Sequence, residues 1–451
     1  MMTTIRFAIL WLVLLGGSLA AERPNILFIM IDDLGWMDLS VQGNKAVRTP
    51  NVDRFASQGM RFTDAYAAAP VCSPTRAAIM TGLAPARLHL TNHTPDQKRF
   101  TPEGAKLQPA PMRQHLGSEY RTLAEGLKEA GYATAFIGKW HLSGREGDVA
   151  SREPQAQGFD INIGGCDFGG PPTFFDPYRI PHLEPRMAGE YLPERLADEA
   201  IGFMGEERGD KPFFLCLWNY TVHWPMEAPE ALLEKYAEHK GRGLNDPRYG
   251  AMIEGMDLAI GRVLAALDDL KLRDETLVIF TSDNGGYGGV ADNRPLRSDK
   301  GHLYEGGIRI PLIVRWPGVV KPGTISPVPV ISTDWFPTLL ELGGAKLPEV
   351  CDGESLVPLL RGEGKLERDC LFFHYPNYAF HRSNRLGGAI RMGRHKLIER
   401  FDDGTLELFD LDADLGEEDN LAEANPDLAG DLARRLREWR HSVNANMPIR
   451  P

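Results

Sequence analysis

Ile26-Leu27-Phe28-Ile29-Met30-Ile31-Asp32-Asp33 decides the fold: six apolar residues without a break, then two carboxylates. An unbroken apolar run this short suits a strand buried on both faces, and such strands belong to parallel sheets covered by helices. The pattern recurs down the chain. Residues 132–137 run into Gly138-Lys139-Trp140-His141, residues 213–218 lead after a short loop to His223, and residues 277–280 pass through Thr281-Ser282 into Asp283-Asn284. Helical patterns separate them, over residues 50–58 behind Thr49, 122–130 closed by Gly131, 192–204 and 251–270. Strand alternating with helix predicts an α/β fold, a mostly parallel sheet sandwiched by helices. Ligands of such sheets bind beyond the carboxyl ends of the strands, so all four polar clusters are expected at one rim.

From about residue 366 the character changes. Residues 371–373, 389–392, 395–398 and 406–409 read as short strands with tight turns, and residues 427–443 as a charged helix. These predict a smaller C-terminal α+β subdomain with an antiparallel sheet. The division is then residues 1–20, 21–365 and 366–451. Residues 144–157 and 324–328 read as loops. Residues 1–20 have the form of a signal peptide: Arg6 in front, an apolar stretch over 7–15, and Ser18-Leu19-Ala20 before the cut. That stretch is too short to span a bilayer, no later run is long enough to anchor the chain, and export to the periplasm or beyond is the expectation.

The 451 residues are 43% hydrophobic and 25% charged, ordinary values for a globular enzyme. Loss of residues 1–20 removes only Arg6 from the charge count and takes the formal net charge from −12 to −13. An acidic protein is a poor nucleic-acid binder, so any anionic ligand must find a local basic pocket. Five cysteines (Cys72, Cys166, Cys216, Cys351 and Cys370) leave an odd one. The four besides Cys72 allow three full pairings, or none.

Asp32, Asp33, Asp283 and Asn284 offer only oxygen donors, a set suited to calcium or magnesium rather than zinc. Taken singly, Asp32-Asp33 read as a loop cap and Asp283-Asn284-Gly285 as a turn; two such pairs at strand ends of one sheet turn the reading toward a metal. Cys72-Ser73-Pro74-Thr75-Arg76 precedes a helix beginning near Pro74, which puts Cys72 at a helix N-terminus, where free amides favour anions. A cysteine there can equally be a core residue or a disulfide partner. Lys139, His141, His223 and Lys300 follow strands or lie in Gly-rich turns. Cations and acids converging on a metal and a nucleophile fit hydrolysis of an anionic ester.

The stretch from Pro70-Val71-Cys72-Ser73-Pro74-Thr75-Arg76 through Thr81-Gly82 resembles the cysteine signature of the type I, formylglycine-dependent sulfatases of the alkaline phosphatase superfamily, with Thr75 where serine is usual. Gly131 to His141 resembles the second signature of that family. The likeness also takes in Asp32-Asp33-Leu34-Gly35, Thr49-Pro50-Asn51-Val52-Asp53, Asp283-Asn284-Gly285, the segment from Lys300 to Pro311, and Leu408-Phe409-Asp410-Leu411. The resemblance implies an alkaline-phosphatase-like fold and oxidation of Cys72 to formylglycine by a formylglycine-generating enzyme. It implies one calcium held by Asp32, Asp33, Asp283, Asn284 and the modified Cys72. Arg76 would stabilise the aldehyde hydrate, His141 would take its proton, Lys139 and Lys300 would neutralise sulfate oxygens, and His223 would protonate the departing alcohol.

Two other readings compete. A formylglycine-dependent phosphonate or phosphodiester hydrolase shares the fold, whereas zinc members of the superfamily place histidine where this chain has Asn284. A glycan-binding protein without activity is opposed by the full set of catalytic positions. The expected substrate is a sulfated carbohydrate of galactose or N-acetylgalactosamine type. Aromatic and polar residues in two loops, Phe174-Phe175-Asp176-Pro177-Tyr178 and His374-Tyr375-Pro376-Asn377-Tyr378 with His381, Arg382 and Arg385, are the expected pocket walls, together with Trp224.

Overall fold

The computed structural model describes residues 23–96, 98–239, 241, 243–379 and 383–450. Residues 1–20, His381 and Arg382 lie outside them. The main sheet has eight strands, in the order Ile161–Ile163, Ala133–Gly138, Phe213–Asn219, Asn25–Ile31, Thr276–Ser282, Leu312–Arg315, Met60–Phe62 and Thr324–Ser326. The first five are mutually parallel, and the direction flips at Leu312–Arg315, antiparallel to both neighbours.

The unbroken apolar runs have the expected cause. Leu27, Ile29 and Ile31 face a core built with the long helix Pro247–Asp269, while Ile26, Phe28 and Met30 face the core that holds Ala77, Ile79 and Met80 of the helix Cys72–Thr81. With both faces covered, alternation disappears. The edge differs from the sequence reading: Thr324–Ser326, read as a loop, is an edge strand in which Ile325 is exposed. A three-residue strand with one buried residue carries no apolar run to detect. Residues 144–157, also read as a loop, contain two short turns of 3-10 helix, Ala150–Arg152 and Pro154–Gln157.

The second sheet is an antiparallel meander of Cys370–Tyr375, Gly387–Met392, His395–Arg400 and Leu406–Asp410. One face packs Ile390, Leu397 and Leu408 on Leu432, Ala433 and Leu436 of the helix Pro426–Ser442. The other packs Phe373, Ala389, Ile398 and Phe409 against Tyr66, Val71 and Ala78. This sheet therefore backs onto the segment that delivers Cys72. All five cysteines are unpaired thiols. Among the described residues no helix is long and apolar enough to cross a membrane.

Candidate active site

Register brings the polar clusters to one level. Ile31 pairs with Asn219 on one side and Ser282 on the other, so Asp32-Asp33 and Asp283-Asn284 leave adjacent parallel strands side by side. Lys139 follows Gly138, whose φ is 108°. A Cβ there would stand 2.0 Å from the Trp218 carbonyl oxygen, so only glycine lets this strand end turn so close to its neighbour. Cys72 opens the helix Cys72–Thr81, every residue of which is buried.

Around Cys72 the charges interlock. Asp32, Asp33, Cys72 and Asp283 each place one donor atom within 4.8 Å of the others. Lys139 Nζ donates to Asp32 Oδ2 at 2.6 Å, and Lys300 Nζ to Asp33 Oδ1 at 2.5 Å while lying 3.3 Å from Cys72 Sγ. Arg76 donates to Asp283 Oδ2 through Nε at 2.9 Å and Nη2 at 2.7 Å, and Asn284 Nδ2 donates to Asp33 Oδ1 at 2.8 Å. Two buried oxygens keep no hydrogen-bond donor: Asp32 Oδ1, whose nearest cation is Arg76 Nη2 at 3.5 Å, and Asn284 Oδ1. Orphaned buried oxygens among three carboxylates are the vacant valences that a hard divalent cation fills, and the oxygen-rich donor set fits one.

Electrostatics follow the geometry. Burial, opposed chiefly by Lys139, pushes Asp32 up to about 8. Burial raises Asp33 too, but Lys300, His223 and Lys139 outweigh it and hold Asp33 below the usual carboxylate range. Asp283 is likewise held low against its burial by Arg76 and Lys139. Burial pushes the Cys72 thiol up to about 12 despite Lys139 and Lys300, so the bare cysteine is protonated at neutral pH and a weak nucleophile. Burial and Lys139 hold His141 well below its ordinary value. Its Nε2–H donates to the Thr94 carbonyl oxygen at 2.5 Å and its Nδ1 has no partner, which leaves a neutral ring with a free lone pair. His223 is depressed to about 3 by burial and by Lys139 and Lys300, against the pull of Asp33. Its Nδ1 meets the Trp224 carbonyl oxygen at 2.9 Å, so Nε2 is the nitrogen turned to the cluster, 3.7 Å from Asp33 Oδ2.

Asp33, Cys72, His141, His223 and Lys300 line a cavity of about 370 Å³. Every expected site residue thus joins one cluster: Asp32, Asp33, Cys72, Arg76, Lys139, His141, His223, Asp283, Asn284 and Lys300. The sequence reading missed His93, Thr94, Arg145 and Tyr287, which also line the cavity from loops that carry no periodic signal. It misplaced the aromatic walls. Phe174 and Tyr178 are core residues, and Tyr375 is buried with its hydroxyl on Asn92 Oδ1 at 3.1 Å. His374 is buried on the Asn446 carbonyl oxygen, and Arg385 pairs with Asp402 and Asp403. Of the expected aromatic walls among the described residues, only Trp224 lines the cavity.

Oxygen donors, a buried cysteine and convergent cations at the carboxyl rim of a parallel sheet are the groups that hydrolysis of an anionic ester calls for. The chain belongs to the sulfatase family, within the alkaline phosphatase superfamily, and it hydrolyses sulfate esters. The sulfatase family model matches residues 24–345, and that of the N-sulphoglucosamine sulphohydrolase C-terminal region matches residues 297–442. A sulfatase of Formosa agariphila is 33% identical, over 94% of this chain and 90% of that protein. N-acetylgalactosamine-6-sulfatase of Canis lupus familiaris is 34% identical, over 80% of this chain and 70% of its own. The solved structure of Ps i-CgsB in complex with k-i-k-neocarrahexaose superposes with a TM-score of 0.79, at 28% identity and 93% coverage of both chains.

Proposed function

We propose that this sulfatase is exported, binds one calcium ion, carries formylglycine at position 72 and acts on a sulfated carbohydrate of galactose or N-acetylgalactosamine type. The observation that carries the reading is Cys72 itself. A buried thiol pushed up to about 12, within reach of Lys300 and three carboxylates, is poorly suited to attack as it stands but ideally placed once converted. Cys72 Sγ then marks where the oxygens of the modified side chain stand. As a hydrate the modified residue supplies two hydroxyls on one carbon, one nucleophilic toward sulfur and one whose deprotonation releases sulfate.

The chain's own residues divide the remaining work. Asp32, Asp33, Asp283 and Asn284 hold the cation, which polarises sulfate oxygens when bound. Lys139 and Lys300 offset the charge of the sulfate group. Arg76, anchored on Asp283, orients the nucleophile. His141 Nδ1 takes its proton, since the Thr94 carbonyl already occupies Nε2–H. His223, its ring fixed by Nδ1–H on the Trp224 carbonyl, serves the departing alcohol as general acid through Nε2 only in the imidazolium form, which the ring reaches by taking up a proton when the anionic ester is bound. The carbohydrate reading draws on the named substrates of the canine relative and on the sugar bound in Ps i-CgsB. Export and a maturing enzyme that modifies Cys72 rest on residues 1–20 and on the cysteine signature, and a boundary near residue 366 on the change to an antiparallel meander.

The test is sulfate release by protein made in a host that converts the signature cysteine. The substrates are an aryl sulfate, sulfated galactose and sulfated N-acetylgalactosamine, with a phosphonate monoester as the rival. Peptide mass spectrometry should show formylglycine at position 72, and Cys72→Ala should abolish turnover with the fold intact. Full activity from an unmodified thiol, recovery of chelated enzyme with zinc alone, or a preference for the phosphonate would each overturn a separate part.

A further inference from the structure

Trp224 is the one phenylalanine, tyrosine or tryptophan on the open surface among the described residues, at 49% exposure. A single exposed aromatic is unremarkable by itself. This one lines the same cavity as Cys72, and it directly follows His223. It is also braced. The Arg248 guanidinium, which does not line the cavity, lies 5.5 Å from the indole centroid, within cation–π range. Arg248 is in turn clamped by Asp246, Nη2 to Oδ2 at 2.6 Å and Nε to Oδ1 at 3.1 Å. Asp246 is the N-cap of Pro247–Asp269, its carboxylate accepting from the Arg248 backbone amide at 2.9 Å. A helix start, an ion pair and an indole ring are thus stacked in series.

From this geometry we infer that Trp224 is the specificity-determining platform for the leaving group, and that it takes the apolar C–H face of a pyranose ring. The inference rests on the sulfatase reading of the cavity. His223 Nε2 faces the cluster where the ester oxygen must depart, so the carbon bearing that oxygen lies beside the next residue, Trp224. Arg248, which is not among the cavity's lining residues, sits over one face of the indole, and the other face is the one assigned to the ligand. A pyranose needs a flat apolar partner on one side and polar partners at its edges. His93 and Arg145 line the same cavity and provide the edge. A sterol or long alkyl group would have no use for those polar side chains.

The test separates ring recognition from chemistry. In Cys72→Ala protein, which cannot turn over, calorimetry should show that Trp224→Ala weakens binding of sulfated N-acetylgalactosamine or galactose about tenfold and leaves binding of methyl sulfate unchanged. Arg248→Ala should weaken the sugar by about two- to threefold, because the indole loses its brace. In active enzyme Trp224→Ala should raise KM for the sugar with kcat nearly constant. Equal weakening for methyl sulfate would make Trp224 a support for His223 and overturn the inference. So would unchanged sugar binding, or a larger loss for an aryl sulfate than for the sugar. Failure of the sulfatase reading has a different signature, absence of sulfate release from every ester.

Discussion

Two clusters of buried charge in this molecule have the same charge balance, three carboxylates against three cations, and different characters. At the carboxyl rim, Asp32, Asp33 and Asp283 meet Arg76, Lys139 and Lys300. Where the second sheet joins the first, Glu305, Glu417 and Asp64 meet Lys396, Arg309 and Arg391. In this second cluster Lys396 Nζ donates to Glu305 Oε1 at 2.8 Å and faces Glu417 Oε1 at 2.8 Å as an ion pair without hydrogen-bond alignment. Arg309 Nε and the Tyr66 hydroxyl share Glu305 Oε2, and Glu417 Oε2 accepts the Glu305 amide. The rim cluster opens on a cavity and keeps orphaned oxygens on two neighbouring groups, Asp32 and Asn284. The junction cluster surrounds a buried lysine; it leaves one oxygen, Glu417 Oε1, without a donor, and its outer member Arg391 reaches a cavity. A census of buried charges therefore does not distinguish the two; what sets the rim apart is a thiol, His141, His223 and orphaned oxygens on neighbouring groups gathered at one cavity.

The largest expected effect tests the junction. Lys396→Met leaves two buried carboxylates without their shared cation and should destabilise the protein by about 3–5 kcal/mol, read by denaturant unfolding. Turnover per folded molecule should stay within about twofold. A collapse of kcat with unchanged stability would erase the distinction between the clusters.

Metal removal tests the rim. Chelation should abolish activity, and calcium at a hundredfold excess over Kd should restore it with about 2.7 kcal/mol of stability. The same calcium increment should appear in Lys396→Met, because the clusters act independently. An increment that vanished in the variant would show them coupled.

The smallest effect concerns protons. Burial pushes Glu417 up to about 7, while Lys396 and Arg309 overcome burial and hold Glu305 below the usual range. A carboxyl whose folded value is raised stabilises fully below its unfolded value, near 4.5, and loses that contribution as pH rises through about 7. Glu417→Gln should remove this slope, a change of roughly 2.5 kcal/mol between pH 5 and pH 8 relative to the parent. Identical pH profiles for the two proteins would reassign the proton.

The rim was legible in the sequence because its residues sit where unbroken apolar runs stop, at Asp32, Lys139 and Asp283. Burial on both faces writes itself into consecutive residues. The junction was not legible. Glu305 reads as part of a Gly-rich turn, and its partner Lys396 lies 91 positions away in a strand of ordinary appearance. Pairing of that kind is decided by how two sheets dock, and local pattern carries no trace of it. The same limit explains the misplaced pocket wall: Tyr375 ends a buried strand, and an aromatic residue beside polar ones looks alike at a strand end and at a binding loop.

The level pairing of Ile31 with Ser282 also governs when this enzyme comes into being. Asp33 and Asp283 are 250 positions apart, and the Asp33 amide meets Asp283 Oδ1 only once the strand Thr276–Ser282 has joined Asn25–Ile31. A growing chain therefore carries Arg76 through the synthesis of a further 207 residues before Asp283 exists to organise it. Catalytic competence is a late product of folding, gated by closure of a very long loop. In refolding from denaturant, helical signal from segments such as Pro247–Asp269 should return before sulfate release does.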